Sequence, residues 1–463
     1  MLRKKRYCFA LPCRHVLSFC SDTMSAKVHA AFADIALGCF RAKWIPLRVK
    51  ETRQNRKIKS FSVSTMRRNA SGLSAFRFRA SLKRALVWPA IAILTMTGEA
   101  AATSSLTDGA AFSALRKKAV LESLSYETIP GWSRDDHAAA FAVFLKTCPA
   151  IVQSAAPVRE GLVSPASLRD VCKAALELAA NNGPEPIDAP TARAFFESRF
   201  RPFSVLPREG RGFLTGYYEP EFEGRLVASA SYSAPLMAFP KTFPAAAEGP
   251  RYPERAAIED GALGSHANAF VYLDPVDAFM AHVQGSVRVR LETGEVRRFA
   301  YAGRNGHPYS SVARHVSRET GLEPAELTAP KLVAWLKAHP EDARRLMRLN
   351  QSYIFFRHAE ELLPNEGPLG AAAVQLVAGR SAAIDRTLLP YGLPVWIDAY
   401  LPDTVAGQEP WRRLMIAQDT GSAILGPSRA DLFMGAGPDA GERAGIIRHA
   451  PERFIILLPE SRP

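Results

Sequence analysis

Apolar positions along this chain change their period near residue 213. Between about 110 and 200 they recur every three to four residues, the spacing of a helix with one buried face. Residues 135–145 follow Ser133, a residue type that caps helix N-termini. The pattern repeats over 167–178 and 189–200, the last preceded by the linker Asn181-Asn-Gly-Pro-Glu-Pro186. From residue 213 onward the apolar positions alternate or form short runs punctuated by Gly and Pro, as strands do. Residues 270–274, 287–291, 297–302, 395–400, 414–419 and 454–458 are the expected strands. A helical hairpin over 322–337 and 340–349 interrupts them, and no tandem repeat is present. The expected class is mainly β with an N-terminal helical segment, and the length predicts two domains.

Charge is distributed unevenly. The chain of 463 residues carries a net charge of +14, but residues 1–102 hold 20 Lys and Arg against 4 Asp and Glu, and the rest hold 39 against 41. A nucleic-acid binder needs its basic patch on the folded part, so no nucleic-acid partner is expected. Lys83-Arg84 precede the apolar stretch 85–97, and Ala100-Ala-Ala102 follows. That order describes a secretory signal peptide over about 81–102, cleaved near Ala102. The apolar stretch is about thirteen residues, short of the roughly twenty of a spanning helix; an uncleaved anchor is the alternative. Met66 is a candidate true start, upstream of which no hydrophobic period is visible. Cleavage would leave Cys148 and Cys172, a disulfide candidate in an oxidising compartment, or else two buried thiols. No cysteine stands at the cleavage point to carry a lipid.

The candidate chemistry lies near the C-terminus. The apolar run Leu414-Met-Ile-Ala417 ends at Asp419, and after the glycine-punctuated loop Thr420-Gly-Ser-Ala-Ile-Leu-Gly426 comes Asp431, twelve positions on, followed by Leu432-Phe-Met434. Two carboxylates delivered by strand ends into one space suit acid/base work on a sugar bond, although paired aspartates at strand ends are commonly turn-formers. Metal-protease, paired-cysteine and phosphate-loop motifs are absent. His266, His307 and His449 are scattered, so no metal or organic cofactor is expected.

Several ordered motifs resemble one family. They are Thr215-Gly-Tyr-Tyr-Glu-Pro220, Gln284-Gly-Ser286, Tyr301-Ala-Gly-Arg-Asn-Gly-His-Pro-Tyr309, Asn350-Gln-Ser-Tyr-Ile-Phe-Phe356, Gly379-Arg-Ser-Ala-Ala-Ile-Asp385, Leu389-Pro-Tyr-Gly392, the 419–437 run and Ala440-Gly-Glu-Arg-Ala-Gly445. Over roughly residues 110–460 the chain resembles the membrane-bound lytic murein transglycosylase A family, whose C-terminal part is called the 3D domain. The resemblance implies a double-psi β-barrel with an inserted second β-domain. Residues 103–224 would hold the helical segment and first barrel strands, 225–352 the insert and 353–463 the rest of the barrel, with the glycan between the two domains.

It also implies the reaction: cleavage of the bond between N-acetylmuramic acid and N-acetylglucosamine without water, leaving a 1,6-anhydro ring. Asp431 aligns with the family's catalytic aspartate and Asp419 with its neighbour, which either tunes the proton affinity of Asp431 or caps the turn at Thr420. Gln284 and Ser286 match the substrate groove, or form a glycine turn; Tyr217 and Tyr218 are candidates to stack on sugars, although neighbours along a strand face opposite ways. Arg314 is a candidate for a lactyl carboxylate. Asp385 and Asp398 are expected to be turn or surface residues, and Glu219 not to be a second acid. Leu425 and Ser422 replace a lysine and a glycine common in relatives. The implied partner is the peptidoglycan glycan strand, the implied compartment the periplasm, and further wall-synthesis or outer-membrane partners are unspecified. A non-catalytic glycan-binding protein is the alternative class.

Overall fold

The computed structural model describes residues 112–244, 252–323, 326–402 and 410–460. The start-site and signal-peptide readings lie outside the described residues. Helix α1 (Ser113–Lys118) leads into β1 (Ala119–Ser123), and three longer helices follow: α2 (His137–Val152), α3 (Ala166–Asn181) and α4 (Ala189–Arg199). The cap of α2 is Asp136, whose carboxylate accepts the Ala139 N–H at 3.0 Å, and not Ser133, which belongs to a separate tight turn over Trp132–Arg134. Ala140, Phe141, Val143, Phe144, Cys148 and Ile151 of α2 recur at helical spacing and are buried. They meet Phe195, Phe196 and Phe200 as well as one face of the main sheet. A disulfide between Cys148 and Cys172 ties α2 to α3, with a Cα separation of 4.9 Å.

The main sheet has nine strands. It takes β1, β2 (Phe200–Pro207) and β3 (Phe213–Glu219) from the first half of the chain. From the last part it takes β10 (Ser381–Ile384), β11 (Pro394–Ala399), β12 (Trp411–Asp419), β13 (Arg429–Ala436), β14 (Arg448–His449) and β15 (Arg453–Pro459). The spatial order is β1-β2-β15-β11-β12-β10-β13-β3-β14, with β10–β12 and β13–β3 parallel and the remaining pairs antiparallel. Its central strands β10 and β11 are buried at every position because both faces are covered. Leu414 and Ile416 face the helices α2–α4, while Met415 and Ala417 face a second core; Trp396 and Val395 divide in the same way. Helix α10 (Pro438–Ile446) packs on β3 so closely that a side chain at Gly216 would meet Ala444 backbone at 2.7 Å.

The intervening residues build a second layer. Strands β4 (Glu221–Glu223), β7 (Ser286–Arg290), β8 (Val296–Arg304) and β9 (Ile354–His358) form a four-stranded sheet, and β5 (Ala234–Met237) pairs with β6 (Ala269–Leu273). Five helices accompany them: α5 (Arg255–Glu259), α6 (Pro275–Gln284), α7 (Val312–Thr320), α8 (Ala329–Ala338) and α9 (Pro340–Met347). The expected hairpin over 322–349 is the pair α8 and α9, with α7 an additional helix just before it, and the chain is a mixed α and β protein, not mainly β. Helices α5, α6 and α7 were missed; each is short, and the apolar positions of α5 and α7 are few. Among the described residues no helix is long and apolar enough to cross a membrane.

Glu219 fastens the two sheets together. It ends β3, is fully buried, and accepts from Arg288 Nε at 2.8 Å and from Arg298 Nη2 at 2.8 and 3.0 Å. The same arginines donate to the carbonyls of Leu363, Pro364 and Glu366. Removing one member of a buried ion cluster strands the others. Glu219→Ala should therefore lower stability by about 3–5 kcal/mol in urea unfolding. Glu221→Ala, which breaks a half-exposed pair with Arg290, should cost under about 1 kcal/mol. Replacing both Cys148 and Cys172 by serine releases a loop with a sequence separation of 24 and should cost about 3 kcal/mol in the same assay.

Candidate active site

The two aspartates meet across one strand. Ala383 of β10 is the register partner of Asp419 on β12 and of Asp431 on β13, and Asp431 is in turn opposite Thr215 of β3. Two strand spacings place the aspartate backbones about 10 Å apart. The methyl group of Ala383 between them is the smallest side chain that keeps the strand's chirality, and it leaves the space above it open. Arg448 of β14, opposite Thr215, closes the row. This row opens on a groove with a volume of about 390 Å³, whose far wall carries Gln284, Ser286, Tyr301 and Tyr309.

Each carboxylate has a distinct set of partners. Asp431 Oδ1 accepts from Thr215 Oγ1 at 2.7 Å, and Thr215 Oγ1 itself accepts from Arg429 Nη2 at 2.7 Å. Asp419 Oδ1 accepts two backbone N–H groups, Thr420 at 2.8 Å and Ala371 at 2.9 Å. Burial raises the Asp431 carboxyl above the usual carboxylate range; Arg429 and Thr215 oppose the shift and the charge of Asp419 adds to it. Burial raises Asp419 as well, against the pull of Arg159 and the two amides. Tyr217 lies beside Asp419, and burial together with the charges of both aspartates holds its phenol well above its ordinary value. Its hydroxyl has no hydrogen bond of acceptable geometry among the described residues.

Gln284 is the last residue of α6, and Gly285 follows at φ 87°, a left-handed turn that needs no Cβ. The Gln284 carboxamide oxygen accepts the Tyr218 N–H at 3.2 Å, which leaves its NH₂ group for the groove. Ser286 begins β7 and is buried in the groove wall. Tyr217 lines the groove with Leu376 and Ile424 and packs on Phe433, whereas Tyr218 does not line it. Alternation along β3 turns the Tyr218 ring to the opposite face, where a Cβ at Gly441 would stand 2.8 Å from it.

The other candidates have structural places. Arg314 is exposed and outside the groove. Asp385 is buried, accepting from Thr387 and, at 2.8 Å, from the Gly426 N–H; Asp398 pairs with Arg412 at 3.1 Å. Leu425 is 66% exposed and does not line the groove, which its neighbour Ile424 does. Sequence reasoning gave no role to Thr215, Ala383, Arg429 or Arg159. Thr215, Ala383 and Arg429 lay inside quoted motifs without being singled out; nothing local marked Arg159.

The raised aspartates have a measurable consequence for stability. A carboxyl whose proton affinity is higher in the folded than in the unfolded chain contributes stability below the unfolded value, and that contribution is lost as pH rises through the folded one. Asp431→Asn should therefore melt higher than the wild type at neutral pH, with the difference disappearing below about pH 4, where both carboxyls are protonated. Equal melting temperatures at pH 7 in a thermal scan would count against a buried, raised acid.

Comparison with known proteins agrees with this geometry. Residues 213–357 match the family model of the MltA specific insert domain, and residues 380–457 that of the 3D domain. Over 247 residues the chain is 32% identical to the membrane-bound lytic murein transglycosylase A of Escherichia coli K12, covering 52% of this chain and 64% of the relative, just under two thirds of its length. Among solved structures, the membrane-bound lytic murein transglycosylase of Agrobacterium tumefaciens shares 32% identity and a TM-score of 0.64, over 73% of this chain and 97% of that one. E. coli MltA with bound chitohexaose shares 27% identity and a TM-score of 0.53, over 70% and 90%. The chain belongs to the membrane-bound lytic murein transglycosylase A family.

Proposed function

We propose that this protein is a peptidoglycan lytic transglycosylase, cleaving the β-1,4 bond between N-acetylmuramic acid and N-acetylglucosamine with Asp431 as its one acid and base. The observation that carries the reading is a buried carboxyl with raised proton affinity on the floor of a groove, steadied by a neutral hydroxyl donor. Such a group holds a proton at a pH where an ordinary aspartate has lost it. In the first step Asp431 protonates the glycosidic oxygen as the bond to the muramoyl C1 breaks. In the second, the Asp431 carboxylate takes the proton of the muramoyl C6 hydroxyl while that oxygen bonds to C1. The 1,6-anhydro ring closes and the acid is restored.

Asp419 is the tuning charge in this scheme. The two amides on its Oδ1 favour its ionised form, and its negative charge favours a protonated Asp431. Gln284, Ser286 and Tyr217 are the proposed glycan contacts. The chitohexaose held by the E. coli relative supports a groove for β-1,4-linked amino sugars. The nine-stranded sheet is proposed to be the family's double-psi barrel, with residues 225–352 inserted into it, a reading its mixture of parallel and antiparallel pairs supports. Export by a signal peptide ending near Ala102 would deliver it to the periplasm, where its substrate lies.

The test is product analysis on purified murein. The wild type should release anhydromuropeptides, identified by mass spectrometry; reducing ends would indicate hydrolysis, and no release would indicate a glycan-binding protein. Asp431→Asn should lower turnover by about 10²–10⁴ while glycan binding survives. Asp419→Asn should retain residual activity with an altered pH profile. If Asp419→Asn alone abolishes turnover, the two roles are exchanged.

A further inference from the structure

Arg159 takes no part in the mechanism above, yet it stands at the Asp419 end of the groove. It lies on the connection between α2 and α3, and this connection is fastened on both sides of it. The Val158 N–H donates to Ala371 O at 2.8 Å, the Leu162 N–H to Arg386 O at 3.1 Å, and Tyr391 Oη donates to the Arg159 carbonyl at 3.1 Å. Its backbone is thus fixed to the same loop, around Ala371, that donates to Asp419.

The side chain reaches the opposite wall. The guanidinium lies over the ring of Tyr301 on β8, 4.1 Å from its centroid, and Nη1 donates to the Thr420 carbonyl at 2.9 Å. Among the described residues this is the one hydrogen bond the guanidinium makes, out of five N–H groups, and no carboxylate comes within ion-pair distance of it. A planar cation plated on an aromatic face, with its backbone clamped and most of its fork free, is organised in advance to take a carboxylate. Arg314, the earlier candidate for that work, is exposed and does not line the groove.

We infer that Arg159 is a specificity-determining residue that binds a carboxylate carried by the glycan, so that the groove prefers acidic muramoyl strands to neutral β-1,4-linked amino-sugar chains. The carboxylate is either the free lactyl group of a strand stripped of peptides or one on an attached peptide. This inference rests on the glycan-cleaving reading of the groove. Its test is a binding titration in the Asp431→Asn background, where no ligand is turned over, using chitohexaose, peptide-free murein strands and peptide-bearing murein strands.

Arg159→Gln should weaken binding of at least one of the two acidic ligands about tenfold and leave chitohexaose within about twofold. Loss on peptide-free strands assigns the lactyl group, and loss on peptide-bearing strands alone assigns the peptide. An equal loss on all three ligands, or no loss on any, overturns the inference. Should the glutamine variant fail to fold, Arg159→Lys keeps the charge without the fork and should show the same split with a smaller loss. If the Arg159-containing protein binds none of the three, the proposed function itself fails, a result distinct from failure of the Arg159 assignment.

Discussion

Burial of Glu219 between two arginines is the constraint on which the site geometry depends. The strand that ends at Glu219 begins beside β13, where Thr215 meets Asp431, and it passes through Pro220 into β4 of the other sheet. One strand therefore carries the acid's hydrogen-bond donor and the tie between the layers. One residue before the tie, the Tyr218 N–H is taken by Gln284 from the far wall. A slip of one residue at the tie would send Thr215 to the opposite face of the sheet and remove it from Asp431. Charges buried this deeply tolerate few geometries, because an unpaired member costs several kcal/mol. The groove inherits its width from that intolerance.

The arrangement around Asp431 solves a conflict between burial and charge. Arg429 is close enough to lower the proton affinity of Asp431, and a direct ion pair would hold the carboxyl ionised and useless as an acid. Thr215 stands between them, accepting from the guanidinium and donating to the carboxylate. The hydroxyl relays orientation while keeping the cation one group away. Asp419 is raised by burial too but has different neighbours, with two amides on one oxygen and the Arg159 guanidinium opposing the shift. Two aspartates twelve residues apart are thus both raised by burial but held by different neighbours, a hydroxyl on one and backbone amides on the other.

Much of this was legible in the chain and some was not. Continuous apolar runs such as Leu414-Met-Ile-Ala417 declared doubly covered strands, and Asp419 and Asp431 were visible at their ends. Their relation in space was not, because the strand between them carries Ala383, more than thirty residues upstream, and register is a long-range property. That Tyr217 and Tyr218 face opposite ways was legible from the pleat, but which of them lines the groove was not. The Ser133 cap failed because the chain made one more tight turn before Asp136, a choice set by Trp132 seeking the core beside Trp396. Arg159 had no local signal at all; its place is defined by contacts with residues 371, 391 and 420.

Backbone strain completes the site. The loop that presents the Ala371 N–H to Asp419 is packed so tightly that a Cβ at Gly370 would lie 2.7 Å from the Gln418 carbonyl, and Ala373 is held at φ 61°. A left-handed alanine costs on the order of 1 kcal/mol and persists only where surrounding contacts over-determine it. Here the surrounding contacts are the hydrogen bonds Ala372 N–H to Gln418 O at 3.0 Å and Gly370 N–H to Val374 O at 2.8 Å, which close the loop on β12. Gln418 is in turn fixed from below by Thr147 of α2, at 2.7 Å. The helical segment at the start of the chain therefore reaches the acid pair through three steps: Thr147 to Gln418, Gln418 to the 370–374 loop, and Ala371 to Asp419. A disturbance in α2, the helix that the disulfide anchors, has a physical route to the charge beside Asp431.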